Sequence, residues 1–291
     1  MTWLITGSSG QLGIVLTQEL ELRNLSYKAC TSMDLDITQR EKVLKTILSL
    51  SPEVIVNCAA FTDVDGAEGN EQLALRINGD GPENLAIAAK ECGAKFIHIS
   101  TDYVFPGNGH TPWKVSDGVD PKTAYGRTKA EGEKLVILIY PERSLIVRTA
   151  WLYSAFGDNF VKKMTRLALN RIGEIRVVTD QIGQPTLAND LAKQIVNLGL
   201  SNTRHGIYHL TNSGEATWFE LAQEIFNLAG ADISRIVPVL SSEYPRPAIR
   251  PLYSVLSHTD WADSSLPSLR SWQDALLEAM PAIISAVKSE G

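Results

Sequence analysis

Cysteine is scarce: Cys30, Cys58 and Cys92 are the only three in 291 residues, and none pairs with another at a metal-ligand or disulfide-motif spacing. That excludes a disulfide framework and a Cys-x-x-Cys zinc site, and it favours reduced thiols in a cytoplasmic protein. A basic surplus is equally lacking. With 27 Lys+Arg against 33 Asp+Glu the formal net charge is −6, so no overall field draws in a phosphate polymer and nucleic acid is a poor partner. Long apolar runs are missing as well. Leu135-Val136-Ile137-Leu138-Ile139-Tyr140 falls far short of the roughly 20 residues that span a bilayer, so no membrane partner is expected. The start, Met1-Thr2-Trp3-Leu4-Ile5-Thr6-Gly7, enters a strand-like run directly, without the basic and longer apolar segments of a secretory signal. What is present is ample core material, 44% apolar against 21% charged residues, enough for one large domain or two modest ones.

Short apolar runs alternate with helical patterns through the first half. Trp3–Thr6 reads as a strand, and glycine-rich residues lead from it into a helix over Leu12–Leu22, with Leu12, Val15, Leu16 and Leu20 on one face. Tyr27–Cys30 and Val54–Asn57 read as further strands, separated by a helix running from Thr38, its expected N-cap, to Leu50. One helix is predicted from Asn70 to Cys92, closed by Gly93. A strand at Lys95–Ser100, a helix at Tyr125–Leu138 and a strand at Leu145–Arg148 follow. Strands apolar on both faces, alternating with helices, describe an α/β fold with a doubly wound parallel sheet. After Trp151 the pattern loosens, so residues 1–150 are expected to form the sheet domain and 151–291 mainly a smaller, mixed substrate-binding lobe. Part of 185–215, with a strand at Gly206–Leu210, is expected to complete the sheet.

Between the first strand and the first helix lies Gly7-Ser8-Ser9-Gly10-Gln11-Leu12-Gly13, with G-x-x-G-x-x-G spacing. Gly7 permits the sharp turn, Gly10 lets the backbone approach a pyrophosphate, and Gly13 allows the helix to lie on the strand. The helix N-terminus adds free N–H groups and a partial positive charge. Three glycines alone are weak evidence. At the first strand-to-helix turn of an alternating chain they point to a dinucleotide. The second strand ends Cys30-Thr31-Ser32, with no acid to prefer a free ribose 2′-hydroxyl and no arginine for a 2′-phosphate, and Thr31 can donate to either. NADPH is expected slightly ahead of NADH. Asp36, followed by Ile37, serves either the adenine edge or the cap of the next helix.

The chemistry-bearing segment is Tyr125-Gly126-Arg127-Thr128-Lys129. Residues four apart share a helix face, so phenol and ammonium are neighbours. A fixed cation favours the phenolate of a group whose pKa is ordinarily about 10. Such a pair can exchange a proton with an alcohol or ketone oxygen. An isolated Tyr-x-x-x-Lys is more often an exposed tyrosine beside a solvated lysine. Here it accompanies the glycine loop and the run Ser100-Thr101-Asp102-Tyr103 at a strand C-terminus, where open α/β sheets bind their ligands. Thr101 is placed to hydrogen-bond the reacting oxygen or the Tyr125 hydroxyl. Asp102 either contacts substrate or accepts backbone N–H groups in a turn.

With these residues in place the chain resembles the extended short-chain dehydrogenases/reductases, and within them the dTDP-4-dehydrorhamnose reductase family, over nearly its whole length. The resemblance is carried by Gly10-Gln11-Leu12-Gly13, by Val54 through Thr62, by Ser100 through Phe105, and by Tyr125 through Lys129. Arg148-Thr149-Ala150-Trp151-Leu152-Tyr153, Gln181 through Thr186, and Tyr244-Pro245-Arg246-Pro247 with Arg250-Pro251 extend it. It implies a Rossmann-like sheet and reduction of the 4-keto group of dTDP-4-dehydro-L-rhamnose to dTDP-L-rhamnose by hydride from NADPH or NADH. Tyr125 would supply the proton, Lys129 would orient the nicotinamide ribose and tune Tyr125, and Thr101 would lie near the reacting oxygen. Ala59, Ala60, Phe61 and Thr62 would line the cofactor, with Asn57 and Asn78 as polar supports. Trp151 matches a position that contacts the sugar nucleotide, where an indole can stack on a flat ring. Arg246 and Arg250, in a proline-stiffened segment, reach the diphosphate or stay solvated.

The chain also departs from the pattern. Some members bridge two subunits with magnesium held by glutamates, but the corresponding position is Asn189, beside Asp190. No bound metal, and a monomer rather than a homodimer, are therefore expected. Two other readings remain open. A nucleotide-sugar 4,6-dehydratase or 4-epimerase shares the loop and the Tyr/Lys pair, although Tyr103 stands where dehydratases carry an acid. A non-catalytic dinucleotide-binding regulatory subunit would need no proton donor, and the set Thr101, Tyr125, Lys129 weighs against it.

Overall fold

The computed structural model describes residues 1–170, 173–259 and 267–290. Strand Thr2–Thr6 (β1) leads through the glycine loop into helix Gln11–Leu22 (α1), then Ser26–Cys30 (β2), Arg40–Leu50 (α2) and Val54–Asn57 (β3). Two short helices, Val64–Gly69 (α3) and Glu71–Leu75 (α4), a π-helical turn at Arg76–Asp80, and Gly81–Cys92 (α5) come next. Lys95–Thr101 (β4), Ala124–Ile139 (α6) and Ser144–Thr149 (β5) complete the first half. The second half contains Leu152–Tyr153 (β6), Phe160–Leu169 (α7), Ile175–Val178 (β7), Ile182–Gly183 (β8), Thr186–Leu187 (β9) and Ala188–Leu200 (α8). Gly206–His209 (β10), Ala216–Thr217 (β11), Trp218–Leu228 (α9), Ile236–Val239 (β12) and Trp272–Glu290 (α10) follow.

Six strands form one parallel sheet in the order β10-β5-β4-β3-β1-β2. The chain leaves β1 to one side for β2 and returns on the other for β3. Strand order thus reverses at β1, and the crevice beyond the carboxyl ends of β1 and β3 is where such sheets bind ligands. Both faces of the central strands are buried, which is why apolar residues dominate the face on α1 and α8 and start the other. Ile5, Val56, Ile97 and Val147 pack on α1 and α8, while Leu4, Ile55, Phe96 and Ile146 pack on α2, α5 and α6. A second core lies in the mixed lobe, where Val161, Met164, Leu221, Phe226, Leu276 and Ile283 close around the β7/β12 pair. Among the described residues no helix is long and apolar enough to cross a membrane.

Two local predictions need correction. The helix expected over 70–92 is broken by the π turn, which turns Asn78 inward. The Asn78 amide accepts the Phe61 N–H at 2.8 Å and donates to the Phe61 carbonyl and the Thr128 hydroxyl, each at 3.1 Å. Apolar spacing carries no trace of that extra residue in the turn. The second helix starts at Arg40 rather than being capped by Thr38. Its N-cap is Gln39, without a side-chain cap, and Asp36 holds the turn before it, accepting the Thr38 N–H at 3.0 Å and hydroxyl at 2.8 Å and the Gln39 amide at 2.9 Å.

Candidate active site

Gly7 ends β1 with φ of +67°, and a Cβ there would lie 2.5 Å from the Ala59 nitrogen. At Gly13 a Cβ would lie 2.3 Å from the Gly7 carbonyl oxygen. Glycine alone tolerates these approaches, and they bring the start of α1 against the carboxyl ends of β1 and β3. Gly10 is the N-cap of α1, with no side-chain cap and no acid in the first turn. The first N–H groups of the helix are therefore left for an outside anion, and the cradle fits a pyrophosphate.

The other expected cofactor residues divide by what their side chains do. Leu12 enters the core between α1 and α8, so only its backbone faces the loop. Gln11 accepts from the Ser154 hydroxyl at 3.3 Å and the Asn159 amide at 2.9 Å, tying the loop to the second lobe. Ile37 is buried, and its carbonyl accepts from the Asn84 amide at 3.0 Å. Ala59 donates its N–H to Asn57 at 3.1 Å, next to half-buried Ala60 and Phe61 and exposed Thr62. At the end of β2 the Thr31 N–H and hydroxyl both donate to Asp34, at 2.9 and 2.7 Å. An acid thus does stand there, a few residues beyond the strand end where sequence reasoning looked for it, held ionised chiefly by the Thr31 hydrogen bonds, with Lys28 and Lys42 adding to them.

Thr123 caps α6 by accepting the Gly126 N–H at 3.0 Å. Gly126 lies so close to the Tyr103 carbonyl that a Cβ would come within 2.3 Å. This presses the helix onto the turn after β4 and sets the Tyr125 phenol close to Thr101. Thr101 donates to Asp102 at 2.8 Å and accepts the Tyr103 N–H at 3.2 Å. Tyr125, Thr101 and Asp102 thus stand in one row, with Thr101 bonded to Asp102. Burial pushes the Asp102 carboxyl up to about 6, with the Thr101 hydroxyl and the turn's own N–H groups working against it.

Lys129, one turn along the same face, donates to the Ile99 carbonyl at 2.6 Å. Burial pushes its ammonium down to about 8, opposed by the carboxylate of Glu133. Burial likewise pushes the Tyr125 phenol up to about 12, opposed by the nearby Thr101 hydroxyl. The expectation that the lysine favours the phenolate does not hold in this state: Lys129 is held to β4, and desolvation decides the phenol. At neutral pH Tyr125 therefore keeps its proton, as a proton donor must.

Sequence reasoning missed the support behind this pair. On the sheet face that meets α5 and α6, polar side chains stand side by side across neighbouring strands. The Thr6 hydroxyl donates to Asn57 at 2.7 Å, whose amide donates to His98 at 3.0 Å. Ser100 donates to Glu133 of α6 at 2.5 Å, and Arg148 of β5 grips the same carboxylate at 2.9 and 2.6 Å. Glu133 lies four residues after Lys129, one turn further along the same face, and that spacing was the available signal.

On the substrate side, Trp151 has φ of +44° and stacks on Trp218 with centroids 3.5 Å apart. Arg250 is half-buried and paired, whereas Arg246 remains exposed. Arg250 pairs with Asp65 of α3 at 2.9 Å, Arg246 lies 3.9 Å from the same carboxylate, and the Ala248 N–H donates to it at 3.2 Å. Arg250 lines a cavity of about 170 Å³ with Tyr103, Phe105 and Lys122, and the Tyr103 ring meets Tyr125 edge-on at 5.7 Å. Asp190 is committed to Arg270 at 2.8 and 3.0 Å and to Asn212 at 2.9 Å.

Residues 1–284 match the family described as RmlD substrate binding domain. The chain is 46% identical over 285 residues to a dTDP-4-dehydrorhamnose reductase of Streptomyces griseus, covering 97% of this chain and 93% of that protein. It is 44% identical over 279 residues to a dTDP-4-keto-6-deoxy-D-glucose reductase of Streptomyces niveus, with 96% of each covered. The crystal structure of a dTDP-4-dehydrorhamnose reductase from Bacillus anthracis in complex with NADP superposes with a TM-score of 0.92 at 38% identity, covering 96% of this chain and 98% of that one. The chain belongs to the dTDP-4-dehydrorhamnose reductase family of the extended short-chain dehydrogenases/reductases.

Proposed function

We propose that this chain reduces the 4-keto group of dTDP-4-dehydro-L-rhamnose to give dTDP-L-rhamnose, with Tyr125 as proton donor and NADPH preferred to NADH. The observation that carries this reading is the row Asp102, Thr101, Tyr125 beside Lys129, at the strand end that faces the glycine cradle. When bound, the nicotinamide cofactor supplies the hydride. Gly7, Gly10 and Gly13 with the start of α1 would hold its pyrophosphate, and Ala59 to Thr62 would flank it. The protonated Tyr125 gives its proton to the carbonyl oxygen as negative charge develops there. To stabilise the phenolate left behind, the Thr101 hydroxyl turns away from Asp102 and the Lys129 ammonium uses donors not spent on the Ile99 carbonyl.

Trp151 holds a left-handed backbone that a bulky side chain adopts only under constraint, and its stack on Trp218 supplies that constraint. This supports a flat surface for the sugar nucleotide. Arg250 and Arg246 exchange Asp65 for the substrate diphosphate. The Bacillus anthracis relative was solved with NADP, and Lys28 and Lys42, which also act on Asp34 at the end of β2, offer charge for a 2′-phosphate against that carboxylate. Asn189, together with the engagement of Asp190 by Arg270, supports a metal-free monomer. The free thiols support a cytoplasmic setting.

Following cofactor absorbance with dTDP-4-dehydro-L-rhamnose and with dTDP-4-keto-6-deoxy-D-glucose, and identifying each product, tests the reading. Turnover of the first to dTDP-L-rhamnose is expected. Cofactor binding without turnover of either sugar would overturn it.

A further inference from the structure

The buried carboxylate behind the Tyr125–Lys129 pair has no part in the chemistry described above. Glu133 is 4% exposed and Arg148 2%, so the charges of both have left water. Such a pair is a poor source of stability, because desolvation offsets most of the Coulomb gain and apolar residues of similar volume serve as well. Its placement is more telling. The Glu133 Oε1 accepts from both Ser100 of β4 and Arg148 of β5, and Oε2 accepts from Arg148 again. Ser100 directly follows Ile99, whose carbonyl holds Lys129, and strand register sets Ser100 opposite Arg148. Two consecutive turns of α6 are thus fastened to consecutive residues of β4, the first by Lys129 and the second by Glu133.

We propose that Glu133 is a positioning residue for the Tyr125–Lys129 pair: by joining Ser100 and Arg148 from α6 it fixes the turn that carries Lys129, and it balances that ammonium inside the protein. Among the described residues no other carboxylate acts on Lys129. Cys58, beyond β3, is half-buried and its thiol is pushed up to about 12 by desolvation, so it stays neutral. His98 on β4 and His209 on β10 are driven towards their neutral forms by burial. Asp102 acts on Tyr125 instead. One carboxylate therefore stands among two buried cations, Lys129 and Arg148. Removing its charge leaves those cations facing each other, whereas removing Arg148 leaves the carboxylate to Lys129 alone.

The inference rests on the proposed roles of Tyr125 and Lys129, and a binding measurement without substrate separates the two. Purified Glu133→Gln and Arg148→Met proteins would be titrated with NADPH by fluorescence between pH 6 and 10, and their melting temperatures and steady-state kinetics recorded. As pH rises, Lys129 loses its proton and cofactor affinity falls. In Glu133→Gln that fall should move to lower pH by about one unit, with kcat at neutral pH reduced about tenfold and the substrate KM changed less than about twofold. In Arg148→Met the fall should move the opposite way, to higher pH. A fall that stays at the wild-type pH in either variant, with only the melting temperature lowered, overturns the proposal and leaves the pair a structural one. If Glu133→Gln does not fold, the direction in Arg148→Met decides alone. Full activity in Tyr125→Phe would remove the proton-donor reading without touching the binding result.

Discussion

Replacing Gly10 by alanine separates the cost of building the glycine loop from the cost of using it. Gly10 has φ of −79° and ψ of 167°, an extended backbone that any residue adopts. An added Cβ would come no closer than 3.4 Å to the Gly7 carbonyl oxygen. Folding is therefore little affected. Stiffening the unfolded chain contributes about 0.4–1 kcal/mol, loss of the glycine N-cap costs roughly as much, and the melting temperature should move by less than about 2 °C. Binding differs, because the methyl group stands between the start of α1 and the place a pyrophosphate would occupy. Displacing that group by roughly 1 Å forfeits at least one charge-assisted hydrogen bond, worth about 1.5–3 kcal/mol. A ten- to hundredfold weaker NADPH affinity follows, measured by fluorescence titration beside a thermal melt. Gly13→Ala is the contrast: its Cβ would enter the Gly7 carbonyl at 2.3 Å, and about 1–3 kcal/mol of stability should go with the affinity. Wild-type NADPH affinity in Gly10→Ala would refute the placement of the phosphates at this helix.

Tyr125→Phe should cut kcat by about 10²-fold or more with NADPH affinity nearly unchanged, read from kinetics and titration together. Arg250→Ala should raise the KM for the sugar nucleotide about tenfold while sparing cofactor affinity, and an unchanged KM would leave Arg250 as no more than the partner of Asp65. His98 and His209 are both held neutral in the fold. As pH falls below about 6.5 the unfolded chain takes up protons that the folded one refuses, so stability should drop by up to about 1.4 kcal/mol per pH unit for each histidine. Urea unfolding between pH 7.5 and 5 measures that slope, and His98→Gln should flatten it.

Much of the sheet was legible because a strand buried on both faces is written as a short, continuous apolar run. Val54–Asn57 meets that description nearly to the residue, while in Lys95–Thr101 His98 and Ser100 interrupt the run of Phe96, Ile97 and Ile99. Gly206–His209, a half-buried edge strand, was legible from the shorter pair Ile207-Tyr208. The glycine loop and the Tyr125–Lys129 spacing were visible because their chemistry depends on neighbours close in sequence. What escaped depends on neighbours far apart. Glu133 needs Ser100 and Arg148, while for Asn78 and Trp151, both singled out from the sequence, only the partners Phe61, Thr128 and Trp218 were out of reach. The reversal at Tyr125 has a like cause: sequence spacing reveals the cation beside it but not the desolvation, and desolvation prevails.

A net charge of −6 has to coexist with binding of two anionic ligands, and the site's own cations do not resolve this by themselves. Lys129 is drawn to the Ile99 carbonyl and lies next to the Glu133–Arg148 pair. Arg250 is neutralised by Asp65, which also attracts Arg246. Lys129 and Arg250 each already have a partner, so an arriving phosphate gains from either only by displacing an oxygen. The cradle at α1 is different in kind. Its N-cap carries no side-chain oxygen and its first turn no acid, so backbone N–H groups meet the cofactor without a competitor to evict. On the proposed reading the two anions would be met in two ways: the cofactor by a dipole left open by glycines, and the sugar nucleotide by arginines that must first let go of Asp65. That exchange trades one partly exposed ion pair for another, so salt weakens the competing carboxylate along with the new contact, and Asp65 sets the affinity more than ionic strength does.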